Sequence, residues 1–575
     1  ASGIISATSF YGSGQNLTDL IGSKIQGLTI QDEGSTVGTA SSVSSINFAG
    51  NGVTAAASGV GATITIPGFG PDADYNLIAG TSAGSNLDGS NACYNVAIGY
   101  SAAYGVTSGA SNISIGCYAG NKITTGDVNI AIGQCAMGGG TGVTGDRSVV
   151  IGYNAGQCMT SGGCSTLLGY MAGNTLTTGE YNTLIGARSG QYLKTGSYNF
   201  FAGMYTARIP EASGDHNIAI GCRSTYFLSS GSDNITMGVH AGYGITTGSN
   251  NIFLGKYAGE NTTTCGWSIY LGEMAGRCTN AAYNVAIGAC ALQGSSTVAN
   301  NTGTCSVAIG ENAGRCNTGG HNNTFIGSGA GHYNTTGDTN TFLGRSSGFG
   351  MVDGTGNLIV GAGGAFGQTG GCDNIFIGCN TAYFGAGGSA TCPKHNIVLG
   401  KNAASEITTG SCNIILGQCA AMGNNMSGTN NILLGCKVGY GLTNVSENIL
   451  IGSGAGSAVT KNNSYCYNIG IGHSSARCLE QGIKNIVVGT EALLTNKCAS
   501  CNIIIGHEAV SESDTTGCSY CGRVDRTIAI GHCAGKKLSS QQWSCTYSNV
   551  LIGHNVGAAA TNLHQTVLIG ECAGY

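Results

Sequence analysis

The stretch Asn95-Val-Ala-Ile-Gly99 returns seventeen residues later as Asn112-Ile-Ser-Ile-Gly116, and again as Asn129-Ile-Ala-Ile-Gly133. From Gly80 to Gly570 the chain carries 28 such anchor glycines, and seventeen of the 27 intervals between them are 17 residues long. The other intervals run from 16 to 25 residues, with the extra residues in Gly/Ser/Thr segments. A short fixed period with insertions confined to one part of the unit is typical of a solenoid.

Each repeat unit can hold two short strands and two tight turns, which together make one layer of a coil. Asn251-Ile-Phe-Leu-Gly255 and Asn413-Ile-Ile-Leu-Gly417 are two further examples, and Asn opens 22 of the 28 units. A β-branched run bounded by Asn and Gly predicts a strand, and no interval holds a helix of ordinary length. We therefore expect an all-β parallel β-solenoid of about 28 repeats. The asparagines would bond the backbone or each other; an exposed binding ladder is the alternative.

The composition excludes several protein classes. The 575 residues include 101 glycines but only 4 prolines, which with the absence of a Gly-X-Y period excludes collagen. Apolar residues make up 41%, too many for a disordered chain. The net charge of −5, with no basic stripe, argues against nucleic acid. No run of about 18 apolar residues occurs, so we expect no membrane insertion.

The apolar runs predict more than one chain. In a strand with one buried face, apolar and polar residues alternate. Here the second and fourth positions of the unit are apolar, and so is the third, as at Phe253 and Ile415. A strand that is apolar on both faces is buried on both. One thin coil covers only one face, so we expect a homotrimeric fibre; a monomeric solenoid with a wide core is the alternative.

The units resemble those of known families. Asn95-Val-Ala-Ile-Gly99 is similar to the head repeats of trimeric autotransporter adhesins, and still more to the Asn-Thr-Ala-Ile-Gly repeats of phage tail fibres. The segments Ala7–Thr18, Glu33–Thr39 and Ile46–Thr54 resemble virion structural proteins of marine tailed phages. The resemblance implies a trimeric tail fibre on a virion surface, hence an extracellular location. It also implies partners in the baseplate or neck and a glycan or protein receptor on the host.

The chain divides into a short N-terminal region and a long repeat array. Residues 1–71 lack the repeat and are predicted to be an attachment or shoulder region of short strands. Pro67 and Pro71 mark its end, because proline breaks strand pairing. Residues 72–575 form the repeat shaft, and the long intervals make its end, about 490–575, rich in loops.

Cysteines offer one metal-like pattern. Cys498-x-x-Cys501 and Cys518-x-x-Cys521 have the spacing of a four-cysteine zinc site. Cys501 and Cys518 are also one 17-residue period apart, so stacking alone would bring them together. Disulfides, free thiols and zinc remain open for this quartet. For most of the 26 cysteines we expect free thiols buried in a narrow core. If the fibre matures outside a cell we expect some disulfides as well, because neighbouring layers place pairs such as Cys419 and Cys436 close enough to bridge.

Histidines form a second pattern. His507, His532 and His554 each follow an anchor glycine in consecutive units. In a trimer these side chains could form rings near the axis and hold a transition metal. The alternative is a partly exposed polar ladder, and overall we predict no cofactor.

The sequence predicts no enzyme. It carries no nucleophile elbow, P-loop or dinucleotide motif. The densest acidic group, Glu508, Glu512, Asp514 and Asp525, could hydrolyse glycans if two carboxylates faced each other, but a solvated loop explains it equally. We therefore predict a structural virion fibre that is a rigid spacer and host-attachment protein. The alternatives are a bacterial trimeric adhesin or matrix filament, and a glycan depolymerase.

Overall fold

The computed structural model describes most of the repeat array and four strands near the N-terminus. The described ranges of the array are residues 72–88, 91–296, 301–383, 392–423, 426–457, 464–512, 524–538 and 546–575. Parts of the longest intervals between anchor glycines, residues 297–300, 384–391, 513–523 and 539–545, lie outside these ranges, and with the last two lies much of the region predicted to be rich in loops. The N-terminal strands form two antiparallel pairs: Leu28–Asp32 with Ser35–Ala40, and Thr54–Ser58 with Gly61–Thr65.

One parallel ladder of 28 three-residue strands runs through the repeat array. The prediction of an all-β parallel β-solenoid with turns of about 17 residues is therefore confirmed. Its strands are Leu77–Ala79, Val96–Ile98, Ile113–Ile115, Ile130–Ile132, Val149–Ile151, Thr166–Leu168, Thr183–Ile185, Phe200–Ala202, Ile218–Ile220, Ile235–Met237, Ile252–Leu254, Ile269–Leu271, Val285–Ile287, Val307–Ile309, Thr324–Ile326, Thr341–Leu343, Leu358–Val360, Ile375–Ile377, Ile397–Leu399, Ile414–Leu416, Ile432–Leu434, Ile449–Ile451, Ile469–Ile471, Ile486–Val488, Ile503–Ile505, Ile528–Ile530, Val550–Ile552 and Val567–Ile569.

Neighbouring turns are in register, so each position of the unit forms a column along the ladder. Val96 lies beside Ile113, and Ile98 beside Ile115. The N–H of Val96 donates to the carbonyl of Asn112 at 2.8 Å, and the N–H of Gly116 donates to the carbonyl of Ile98 at 2.8 Å. Because strands in a sheet are about 4.8 Å apart, 27 steps make the ladder roughly 130 Å long.

A second, shorter set of strands accompanies the main ladder near the C-terminus. Ser464–Cys466 pairs with Gln481–Ile483 in parallel. Ala499–Ser500, Val524–Asp525 and Thr546–Tyr547 form a three-stranded parallel sheet. These segments directly precede main strands, so five turns near the C-terminus carry two strands each. In most earlier turns the described residues form one strand, so the expected second strand is wrong for most of the array.

Left-handed backbone closes the turns. The anchor Gly99 has φ +129°, and a Cβ there would lie 2.7 Å from the carbonyl oxygen of Gly116. Only glycine fits such a position. Non-glycine residues with positive φ also recur in columns, as at Tyr94 (60°), Ser101 (51°) and Ala103 (51°). Hydrogen bonds between turns hold them there; the N–H of Ala103 donates to the carbonyl of Ala119 at 2.9 Å.

The core is a narrow column inside the coil. The third residue of each unit points inward, so Ala97, Phe253 and Tyr270 are completely buried. Small residues such as Ala102 line the opposite wall. Where two neighbouring turns both have an aromatic third residue, the rings pack against each other, and the Phe253 and Tyr270 ring centroids are 4.7 Å apart. This core uses only one face of each strand.

Candidate association surface

The outer face of the main ladder is apolar along its whole length. In the strand Val96–Ile98 only the middle residue is buried, while Val96 and Ile98 remain partly exposed. The same pattern recurs in almost every strand of the ladder. The sequence could not tell which of the two apolar faces was the inner one; the coil's own core takes the third position, and the second and fourth positions face outward.

We call these outward second and fourth positions of all 28 strands the outer ribbon. Of its 56 side chains, four are threonines and the other 52 are apolar, and none is charged. Leu168 is 44% exposed, Ile326 38% and Ile505 38%. At roughly 130 Å by 7 Å the ribbon covers on the order of 900 Å². The largest apolar patch of a typical monomer covers about 300–600 Å².

The repeat asparagines hold neighbouring turns together from inside. Asn95, Asn112 and Asn129 are almost completely buried. The Asn112 side-chain oxygen accepts from the N–H of Asn129 at 2.9 Å, and its Nδ2 donates to the Gly126 carbonyl at 2.8 Å. Asn251 and Asn413 lie in the same column and are fully buried. Buried amides that satisfy backbone groups of the next turn are structural residues, not an exposed binding ladder.

The anchor glycines lie at the rim of the outer ribbon. Each directly follows the fourth residue of its unit, and a Cβ would meet the next anchor's backbone. The nearest distances are 2.9 Å for Gly116, 2.7 Å for Gly133 and 2.5 Å for Gly255. At Gly417 the added carbon would overlap the carbonyl of Gly435. These glycines therefore allow the close approach of successive turns.

Two members of the cysteine quartet are described. Cys498 is buried and is in a disulfide bond. Cys501 is an exposed free thiol, so the two do not bridge each other. Cys518 and Cys521 lie outside the described residues. A sulfur in a disulfide does not supply the thiolate that a zinc site needs, and the bonding of the complete quartet stays a prediction.

Most other cysteines are free, but they are not buried. Within the described residues 22 cysteines are free thiols, and only Cys265, Cys278 and Cys533 of these are buried. The expected core-filling role is wrong for the majority, since the unit's core positions are taken by the third residue and the alanines. Cys419 and Cys436, the example of a pair that neighbouring layers could bridge, are both free.

The three histidines form a stack along the outside of the coil. The ring centroids of His507 and His532 are 5.2 Å apart and those of His532 and His554 are 5.0 Å apart, with interplanar angles of 12° and 14°. Imidazoles stacked in this way do not converge on one point. In the described part of the chain, no group of three His, Cys, Asp or Glu side chains is arranged to hold a metal ion. A ring of histidines from three chains stays a prediction.

Two members of the acidic group near the C-terminus, Glu508 and Glu512, form ion pairs with one lysine. Lys536 Nζ lies 2.6 Å from Glu508 Oε2 and 3.2 Å from Glu512 Oε1. The hydrogen bond from Lys536 lowers the pKa of Glu508 and the bonds to both carboxylates raise the pKa of Lys536. Such a carboxylate stays ionised and is a poor general acid. Asp514, the third predicted member, lies outside the described residues.

One charged cluster was missed by the sequence analysis. The guanidinium carbons of Arg188, Arg208 and Arg223 lie 5.6, 4.8 and 6.0 Å from the ring centroid of Tyr205. Arg188, Tyr205 and Arg223 occupy the same unit position, two residues after an anchor glycine, in three successive turns. The recurrence of large side chains at this one unit position is the sequence signal that points to the group. We call Arg188, Arg208 and Arg223, with the ring of Tyr205 between them, the arginine cluster.

Comparisons with known proteins give no relative. No family model, no curated protein and no solved structure matches this chain. Among the described residues there is no helix of the length and apolarity needed to cross a membrane. The function therefore has to be argued from the surface of the solenoid itself.

Proposed function

We propose that this chain is the shaft of a homotrimeric virion fibre of the tail-fibre type, a rigid spacer that attaches the particle to a host surface. The observation that carries the proposal is the outer ribbon, a continuous uncharged apolar strip on the outside of a coil that already has its own core. The area of the outer ribbon is on the order of 900 Å². Each partner in a standard protein interface contributes about 800 Å², so the two areas are close.

Association through the ribbon explains the unit better than a monomer does. A solvent-facing strand position tolerates lysine, glutamate or threonine, and selection for solubility would place them there. Instead, isoleucine, leucine and valine dominate both outward positions from Leu77 to Ile569. Burial against like strips removes this area from water along the full length. The number three comes from the resemblance of the units to trimeric fibres.

A parallel ladder suits a spacer. Neighbouring turns are joined by backbone hydrogen bonds, and most of them also by the asparagine column, so bending requires many bonds to change together. Three chains would present each surface feature three times at one height, and weak contacts to a host surface then add as avidity. The baseplate or neck would hold residues 1–71, and the receptor would be a host glycan or protein.

Solution mass by light scattering, under reducing and non-reducing conditions, tests the proposal. Three chain masses in both conditions are expected, because packing of the ribbon and not disulfides would hold the fibre together. A single chain mass would overturn it. Two chain masses would keep the ribbon as an interface and overturn the trimer.

A further inference from the structure

We propose that the arginine cluster binds an acidic polysaccharide through its sulfate or carboxylate groups. The inference deepens the proposed host-attachment role by naming the chemical class of the receptor. It rests on the side-chain geometry around Tyr205, which is independent of the outer ribbon.

The three guanidinium groups lie around a single tyrosine ring. Arg188 lies between two rings, 5.5 Å from the centroid of Tyr170 and 5.6 Å from that of Tyr205. Arg208 reaches Tyr205 from within the same turn, and Arg223 from the following turn. Cation–π contacts hold these arginines in place without neutralising them.

In the part of the chain that the structure describes, no carboxylate neutralises the cluster. Among the described residues, none of the three arginines has an Asp or Glu oxygen within ion-pair distance, whereas the lysine nearby in sequence, Lys194, pairs with Glu211 at 3.3 Å. Arg208 donates instead to neutral partners, from Nε to Gln191 Oε1 at 3.1 Å and from Nη1 to the Tyr226 hydroxyl at 3.3 Å. Of its five N–H donors, three are left for a ligand.

The chemistry of the cluster selects an anion. Planar guanidinium forks bind carboxylate and tetrahedral oxyanions with two parallel hydrogen bonds, and such charge-assisted bonds are about twice as strong as neutral ones. Arg188 and Arg208 are half-buried and Arg223 is exposed, so the cluster faces solvent from an open surface. An open surface suits a polymer chain rather than an enclosed small molecule.

The extent of the cluster favours an acidic glycan over nucleic acid. Its arginines occupy three successive turns, about 10 Å along the solenoid, which matches two or three neighbouring charged sugars. Non-specific binding of nucleic acid needs a basic stripe that neutralises many phosphates. The column that holds Arg188, Tyr205 and Arg223 has Met171 in the turn before and His240 in the turn after, so this column adds no further arginine or lysine there.

Binding of dextran sulfate, polygalacturonate and uncharged dextran to the full chain tests the inference. The two acidic polymers separate a sulfate ligand from a carboxylate one, and binding of at least one but not of dextran is expected. The variant R188Q/R208Q/R223Q should lose about tenfold or more in affinity, since each lost fork removes charge-assisted hydrogen bonds. The matched control is R345Q, which removes one exposed arginine outside the cluster.

The outcomes separate this inference from the fibre proposal. Equal affinity of the triple variant and the parent chain, or an equal loss in R345Q, would overturn the arginine cluster as a binding site. Single-stranded DNA bound as tightly as the acidic glycans would overturn the glycan assignment. The variant R188K/R208K/R223K, which keeps the charges but lacks the planar guanidinium groups, should bind with intermediate affinity. Light scattering on the same samples reports the oligomeric state, which these substitutions should leave unchanged.

Discussion

The side-chain oxygen of Asn396 accepts a hydrogen bond of 3.0 Å from the backbone N–H of Asn413, the equivalent residue one turn further along. Asn413 in turn accepts from the N–H of Asn431 at 3.0 Å, and its Nδ2 donates to the Gly428 carbonyl at 2.9 Å. Each buried side-chain amide therefore forms hydrogen bonds with backbone groups of the following turn. Strands of three residues make few hydrogen bonds to the next turn, and the asparagine column adds side-chain hydrogen bonds to them.

Asn413→Ala should destabilise the turns around it by about 2–4 kcal/mol, because it leaves a buried N–H and a buried carbonyl without partners. Hydrogen exchange of the Asn431 amide measures the effect locally. Asn413→Ser is the matched control and should cost less, since serine occupies the same column at Ser148 and Ser165. Equal exchange in the alanine variant and the parent chain would contradict the role of the column.

Gly255→Ala should be among the most damaging single-methyl additions. The glycine has φ +136° and its Cβ would lie 2.5 Å from the Gly272 carbonyl oxygen. Backbone strain alone costs about 1–3 kcal/mol, before the clash is counted. Gly319→Ala is the control, since its Cβ would meet Thr336 at an ordinary 3.5 Å. Urea unfolding followed by circular dichroism should separate the two variants clearly.

Val128→Asn should stabilise the chain by about 1 kcal/mol. Val128 is 53% exposed with φ 59°, a conformation that is costly for a β-branched residue and far easier for asparagine. Asn250 already occupies the same column at φ 61°. The reverse change, Asn250→Val, should therefore lose a comparable amount, and thermal unfolding of both variants checks the pair. Changes of the same sign in both would contradict the strain argument.

Ile309→Lys combined with Ile326→Lys should dissociate the proposed trimer without unfolding the coil. Both residues lie on the outer ribbon, 36% and 38% exposed, so a lysine there stays solvated in the single chain but would be buried and unpaired in an interface. Light scattering reports the mass and far-UV circular dichroism the fold. Thr336→Lys, an exposed position away from the ribbon, should change neither. A trimer that survives the double substitution would place the interface elsewhere.

Thiol reactivity should follow the surface position of the cysteines. Burial raises the pKa of the Cys265 thiol to about 12, so at pH 8 almost none of it is the reactive thiolate. Cys305 and Cys412 are exposed and should react with iodoacetamide at least about a hundred times faster. Mass spectrometry of partly labelled protein measures the ratio of the labelling rates of exposed and buried cysteines. This ratio should fall sharply when urea unfolds the chain. Rapid labelling of Cys265 in the folded chain would contradict its burial.

The amino-acid sequence by itself determined the period, the class of fold and the position of every main strand. The unit Asn95–Gly99 sufficed for this, because a three-residue apolar run between a turn asparagine and a glycine leaves few alternatives when it recurs 28 times in register. The repeat also indicated that position 99 requires glycine. The reason for this requirement is the close approach of Gly116, which is a contact between turns.

Only the tertiary structure decided which face of each strand lies inside. Val96, Ala97 and Ile98 are all apolar, so the sequence pattern does not show which of these side chains point into the coil. The rest of the turn encloses a space that takes the third residue of the unit, Ala97, and leaves Val96 and Ile98 outside. The same closure leaves most of the described cysteines half-buried or exposed rather than in the core. It also brings Arg188, Tyr205 and Arg223 together, since residues seventeen or eighteen positions apart become neighbours only when the coil closes.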